Sequence, residues 1–276
     1  MQTVQTINEL KQIIVLNRDK KIGLVPTMGY LHEGHQSLLN KARLENDMVV
    51  ATIFVNPAQF GPNEDLDRYP RDIERDTKLA MDTGVDILFV PSSQEMYPFE
   101  SGITIQAGDL STKLCGESRP GHFDGVLKVI TKLFHLIQPT KAYFGQKDAQ
   151  QLAIIETFVD AYNFPVQIVR VPTVRESDGL AKSSRNVFLS ESERAEAIHL
   201  YQALQIATQT WEQTNDLSVA IAKGKDHIEK NTSGKIDYLE ALSYPALQPV
   251  TSETKEVLFA TAVFFEKARL IDNILT

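Results

Sequence analysis

Residues 21–55 read KIGLVPTMGYLHEGHQSLLNKARLENDMVVATIFV, and this stretch decides the fold. Ile22–Val25 is a short apolar run. Met48–Val55 (MVVATIFV) is a second, apolar at almost every position. Runs of this kind, rich in Val and Ile, suit strands covered on both faces. After His35, Leu38, Leu39 and Ala42 recur at helical spacing. A strand, a helix and a strand in succession point to a parallel α/β sheet.

The pattern continues outward. Ile87–Val90, Ala142–Phe144 and Val166–Val171 are further apolar runs. Pro70 opens a helical segment in which Ile73, Thr77 and Ala80 share a face, and proline suits a first helical turn. Gly125–Gln138 is the clearest amphipathic helix, with Val126, Val129, Ile130, Leu133, Phe134 and Ile137 on its apolar side. Asp148–Tyr162 is another. The rhythm changes near Pro172. Ser190–Glu193 looks like a capping box that opens a long helix toward Gln213, and a second helix follows Asp216. Ile236–Ser243 and Val257–Phe265 then read as an antiparallel set of strands. A boundary is expected near 172–176, with a smaller α+β domain after it.

The chain of 276 residues has room for one large domain, or for a large and a small one. Lys and Arg number 28 and Asp and Glu 36, a net charge of −8, which argues against a general nucleic-acid binder. An acidic protein still binds a polyphosphate if cations and backbone N–H groups are concentrated locally. The single cysteine, Cys115, forms no intramolecular disulfide and fits a reducing compartment. The start, MQTVQTINELKQIIVL, has no basic lead followed by an unbroken apolar stretch. No apolar window approaches the ~20 residues of a membrane span. The expectation is a cytoplasmic protein with no nucleic-acid or membrane partner.

Five clusters carry chemistry. Pro26–His35 (PTMGYLHEGH) lies between the first of these strands and the helix that follows. In a doubly wound sheet that junction faces the ligand crevice. A helix start offers free N–H groups and partial positive charge to phosphate. His32 and His35 are three apart and project toward one spot. A nearby anion would favour their charged forms. Both also fit plain capping or surface residues, and a metal would need a third ligand. Asn56–Pro62 (NPAQFGP) follows the second strand, with Asn56 and Gln59 as amide donors and acceptors; an ordinary turn reads the same way. Ser118–Gly125 (SRPGHFDG) places Arg119 and His122 before the strongest helix, as a ligand-facing loop or a simple entry turn. Gly145–Gln151 (GQKDAQQ) brings Lys147 for phosphate, Asp148 for a helix cap or a ribose, and Gln151 one turn on. Ala181–Asn186 (AKSSRN) combines Lys182, Ser183, Ser184 and Arg185, either a mobile phosphate loop or a basic surface loop. Four of the five fall at expected strand ends.

Together with FVNPAQFGPNEDLDRYPRD, YFGQKDAQQLAI, VRESDGLAKSSRN and KARLIDN near the end, these segments resemble the pantothenate synthetase (pantoate–β-alanine ligase) family over nearly the full length. The His-x-Gly-His pattern alone would indicate only the wider nucleotidyltransferase superfamily. The resemblance implies an α/β fold: a Rossmann-like parallel sheet with helices on both faces (1–174) that binds ATP and pantoate, then a smaller C-terminal α+β lid domain (175–276). It implies ATP-dependent condensation of pantoate with β-alanine through pantoyl adenylate, with Mg²⁺ accompanying ATP, in a homodimer. Carried over by position, Met28, Gly29, Tyr30, Leu31, His32, Glu33, Gly34 and His35 would line the ATP site. Gly145, Gln146, Lys147, Asp148, Lys182, Ser183, Ser184 and Arg185 would bind ATP as well, with Val174 beside the adenine. His35, His32 and Lys147 would be catalytic. Gln59 and Gln151 would hold pantoate, assisted by Asn56. Metal ligands are not implied. Tyr30, Gln146 and Lys182 depart from the family pattern, where a smaller residue, a charged residue and Met are common. Another nucleotidyltransferase, or a non-catalytic nucleotide-binding protein, stays open as an alternative.

Overall fold

The computed structural model describes residues 1–62 and 64–276. The first part of the chain runs β1 (Gln2–Val4), α1 (Ile7–Leu16), β2 (Ile22–Thr27), α2 (Glu33–Glu45), β3 (Met48–Ile53), α3 (Ile73–Asp82) and β4 (Ile87–Phe89). Then follow α4 (Ser93–Met96), α5 (Cys115–Ser118), α6 (His122–Ile137), β5 (Lys141–Gly145), α7 (Ala149–Ala161) and β6 (Gln167–Val171). The rest is α8 (Glu191–Glu196), α9 (Ile198–Thr214), α10 (Leu217–Asn231), β7 (Lys235–Ser243), β8 (Val257–Phe264) and β9 (Arg269–Leu275).

The first six strands form one sheet in the order β1-β4-β3-β2-β5-β6, with every neighbouring pair parallel. Residues alternate between its two faces. Ile22, Leu24, Met48 and Val50 enter one apolar layer with α1, α6 and α7. Val25, Val49 and Ala51 enter the other, with Leu38, Leu39 and Ala42 of α2 and Ala80 of α3. Burial on both faces explains why these strands read as unbroken apolar runs. β2 pairs with β3 on one side and β5 on the other. The strand order therefore reverses between β2 and β5, and a ligand crevice is expected beyond their carboxyl ends.

The last three strands form an antiparallel sheet, β7-β8-β9. One face packs Leu239, Phe259 and Val263 against Leu200, Leu204 and Ala207 of α9 and Ile228 of α10. From the other face, Tyr238, Leu258 and Ala260 join the apolar layer of the parallel sheet. The small sheet therefore sits firmly against the large one.

Several elements differ from expectation. β1 and α1 were not foreseen, although Thr6 and Glu9 form a capping box at the start of α1. α6 begins at His122 rather than Gly125, after Gly121 in the left-handed region. The capping box at Ser190 and Glu193 is present, but the helix it opens breaks at Ala197 into α8 and α9. β9 lies beyond the last expected strand. Among the described residues no helix is long and apolar enough to cross a membrane.

Candidate active site

The turn after β2 is set by backbone geometry. Gly29 has φ +87°, and a Cβ there would lie 2.9 Å from Ile53 Cγ2 and 3.0 Å from Asp76 Oδ2. Tyr30 also has positive φ, 52°, which is uncommon outside glycine. The strain is held by Asp76 of α3. Its Oδ2 accepts from Tyr30 N at 2.7 Å and its Oδ1 from Leu31 N at 2.6 Å. Asp76 is 1% exposed, and burial pushes its carboxyl pKa up against the pull of those two N–H groups.

The turn delivers His32 to the N-cap of α2. His32 Nδ1 accepts from Gly34 N at 3.1 Å, and His35 Nδ1 accepts from His32 N at 3.3 Å. A backbone N–H only donates, so both Nδ1 atoms are acceptors and each neutral ring carries its proton on Nε2. The ring centroids are 4.1 Å apart. Burial, then the charge of Lys147, lowers His32 to a pKa of about 4. Burial, then His32 and Lys147, holds His35 well below its ordinary value. Burial thus opposes the charged forms that a phosphate beside the rings would favour. Desolvation outweighs the other effects, and the site offers two neutral Nε2–H donors.

Gln59 stands on a single turn, Pro57–Gln59, after β3. Its Oε1 accepts from Asn56 Nδ2 at 3.0 Å, and its Nε2 donates to Met28 Sδ at 3.3 Å. Asn56 is 1% exposed. Its Nδ2 also donates to Gly125 O at 3.0 Å, and its Oδ1 accepts from Tyr97 OH at 2.8 Å and Ala58 N at 3.2 Å. All four bonding positions of the Asn56 amide are used inside the protein. It orients Gln59 and has no free group to offer. His122, expected in a loop, is the buried first residue of α6. Its Nδ1 is 2.7 Å from Gln59 O, and its Nε2 is 3.1 Å from Arg119 Nη1. The carbonyl only accepts and the guanidinium only donates, so this ring is neutral as well. Burial, then Arg119, lowers its pKa to about 4. Arg119 in turn pairs with Glu64 at 2.5 Å.

Across the crevice, Lys147 and Asp148 sit on the turn Gln146–Asp148 after β5, with Nζ and Oδ1 4.0 Å apart. Asp148 takes the N-cap position of α7 but makes no capping bond. The segment after β6 closes the wall. Ser184 Oγ donates to Tyr30 O at 3.3 Å. Lys182 Nζ lies 2.8 Å from Glu176 and 3.2 Å from Glu33. Arg185 makes two bonds to Asp65, at 2.9 and 3.0 Å.

These groups surround one cavity of about 210 Å³. It is lined by Met28, His32, Gly34, His35, Asn56, Gln59, Gly145, Lys147, Asp148, Gln151, Val174 and Lys182–Arg185. Gly29, Tyr30, Leu31, Glu33 and Gln146 do not line it. Leu31 is in the core with Val25 and Leu39, Tyr30 lies under Arg75, and the Glu33 side chain is mostly in solvent. A second cavity, of about 350 Å³, adjoins the first. It shares Lys147, Asp148, Gln151, Ser183 and Arg185 with it, and the C-terminal sheet forms its far wall. Sequence reading missed Asp76, Glu64 and the partner role of Asp65, because their contacts span distant segments. Among the described residues no group of three or more His, Cys, Asp or Glu is placed to hold a metal ion.

The protein-family model described as "Pantoate-beta-alanine ligase" matches residues 2–275. The chain belongs to the pantoate–β-alanine ligase family. It is a ligase. A pantothenate synthetase of Lysinibacillus sphaericus is 59% identical over 99% of this chain and 97% of its own length. A crystal structure of the Thermus thermophilus enzyme of that name has a TM-score of 0.95 and 45% identity, covering 99% of each chain. The Francisella tularensis pantoate-beta-alanine ligase, solved with beta-gamma ATP and β-alanine, has a TM-score of 0.82 and 34% identity, covering 100% of this chain and 97% of that one.

Proposed function

We propose that the cavity between β2 and β5 is where this chain joins pantoate to β-alanine with ATP. The observation that carries the reading is the pair of neutral Nε2–H donors at the start of α2, with Lys147 on the opposite wall. In the first step a pantoate carboxylate oxygen attacks the α-phosphorus of ATP. A C(O)–O–P bond forms, and the bond to pyrophosphate breaks. The carboxylate is already ionised at neutral pH, so no base is needed. The requirement is alignment, and stabilisation of charge growing on the α-phosphate and leaving group. His32 and His35 donate from Nε2, the N–H groups of α2 add their field, and Lys147 supplies a full charge. Ser183, Ser184 and Arg185 bind the phosphates from the other side, where ATP replaces Asp65 on Arg185. Lys182 adds a further cation, and Val174 lies beside the adenine. Gln59 and Gln151 hold pantoate, with Asn56 and His122 fixing Gln59.

In the second step the β-alanine amine attacks the acyl carbon, the amide forms, and AMP leaves. The proton that the nitrogen sheds passes to the departing AMP phosphate or to solvent water. Neither His32 nor His35 takes it, since each Nδ1 is occupied by a backbone N–H and each Nε2 already carries hydrogen.

Mg²⁺ enters with ATP. Asp148 is the one carboxylate among the described residues that line the cavity, and it makes no capping bond. That fits an ion held chiefly by phosphates and water, with one or two protein carboxylates. Mg²⁺ would neutralise phosphate charge; orientation is left to the residues named above. Residues 175–276 act as the lid over the shared wall of the two cavities. The protein works in the cytoplasm as a homodimer. Phe99 and Ile103, 75% and 76% exposed, suit a subunit contact.

The test is ATP–pyrophosphate exchange with purified protein, ATP and Mg²⁺. Pantoate should stimulate it, and β-alanine should then release AMP. Exchange without any pantoate dependence would overturn the assignment, and AMP release without an amine would indicate a different nucleotidyltransferase. His35→Ala should slow exchange about 10²- to 10³-fold, as loss of one preorganised donor does, with the thermal melt little changed.

A further inference from the structure

The stretch Lys267–Asn273 (KARLIDN), which enters β9, has no part in the chemistry above. Two of its side chains nevertheless reach the walls of the active site. Asn273 Nδ2 donates to Gln146 O at 2.9 Å and to Lys147 O at 2.8 Å. Both amide protons are used on two successive carbonyls of the turn that carries Lys147. Asp272 accepts from both branches of Arg175, at 2.6 and 2.9 Å, and its Oδ1 also accepts from Asn273 N at 2.8 Å. Arg175 directly follows Val174. Its guanidinium lies 3.6 Å from the Tyr201 ring centroid and donates to Gly179 O at 3.1 Å. Asp272 and Asn273 are both buried.

We propose that Asp272 and Asn273 are a positioning pair for adenylation. Asn273 fixes the turn that aims Lys147. Asp272, through Arg175, fixes the segment that leads from Val174 to Lys182–Arg185. Lysine is a point charge on a long flexible stem, so its effect at a transition state depends on where its backbone is held. Two bonds to adjacent carbonyls from one buried amide fix both peptide planes of the turn. A shift of about 1 Å in a group that acts on the reacting phosphate costs about 10²-fold in rate. The inference rests on the role given to Lys147.

The test uses the full chain with Asn273→Ala, Lys147→Ala and the double variant. ATP–pyrophosphate exchange reads the first step. Preformed pantoyl adenylate with β-alanine reads the second. Asn273→Ala should lower the exchange kcat about 10²-fold and the second step by clearly less, because the charge on a departing pyrophosphate develops only in the first. In the Lys147→Ala background it should add little, the mark of residues that act as one unit. Asn273→Ser, which keeps a small polar group but not the reach of both donors, should behave like Asn273→Ala and serves if the alanine variant folds poorly. Equal losses in both steps, or losses that multiply in the double variant, would overturn the proposal. Loss in Lys147→Ala with none in Asn273→Ala overturns the positioning role alone. Full exchange in Lys147→Ala overturns the role of the lysine and the proposal with it.

Discussion

An imidazole whose Nδ1 meets a backbone N–H has no choice of tautomer. His32 and His35 are in that position, and His122 is fixed the opposite way by a carbonyl and a guanidinium. The consequence is a pH prediction. The pKa of His32 and that of His122 are each depressed to about 4, from an ordinary value of about 6.5. Between those values the unfolded chain binds protons that the folded chain refuses. Stability therefore rises with pH across this window, is fully present above it, and is lost as pH falls from about 6.5 toward 4. In NMR titrations the His32 and His122 ring signals should stay in their neutral positions down to about pH 5, above the depressed values. A midpoint near 6.5 for either would show that burial does not govern it. The sequence made the His-x-x-His spacing legible, since position after a strand is local information. The charge state was not legible, because it depends on burial and on Lys147, far along the chain.

Helix α6 reaches the site through one glycine. A Cβ at Gly125 would lie 2.1 Å from Ala58 O and 2.6 Å from Gln59 Cα. The helix can touch the Pro57–Gln59 turn only because that position has no side chain. Gly125→Ala should push the turn away, cost roughly 1–3 kcal/mol as overpacking does, and raise the KM for pantoate more than that for ATP. Steady-state kinetics with each substrate varied in turn would check this, and an unchanged pantoate KM would count against the role of Gln59. Most elements were legible from apolar periodicity: β2, β3, β5, β6, α2, α6 and α7 all bury residues that announced them. β1 has three residues, too few to show a pattern, and its pairing with β4 is a tertiary matter. β9 reads RLIDNIL, with polar and apolar residues in adjacent pairs rather than alternating, so its Asp272 and Asn273 read as a loop until their partners are known.

At the scale of the molecule, two sheets share one apolar layer, and the larger cavity lies where they meet, joined to the smaller one through Lys147, Asp148, Gln151, Ser183 and Arg185. The acidic net charge hid the cations of the site, and part of the reason is pairing: Arg119 with Glu64, Arg185 with Asp65, Lys182 with Glu176. Fold class and the two ends of the cavity could be read from sequence; these long-range pairs could not. Assembly gives the prediction at this scale. In the proposed homodimer, Ile103→Asp should shift light scattering from a dimer to a monomer with the circular dichroism spectrum unchanged, whereas a persistent dimer would place the contact elsewhere. Strand β9 has a last consequence, in the order of synthesis. It follows every other described element, while the turn it secures was made more than a hundred residues earlier. Domains fold as units, N-terminal parts first, as the chain emerges. A growing chain that has laid down the parallel sheet but not β9 has the Gln146–Asp148 turn without the two N–H donors of Asn273. Assembly of the proposed nucleotide site therefore waits until β9 has been made, and a chain without that strand is poorly equipped to consume ATP.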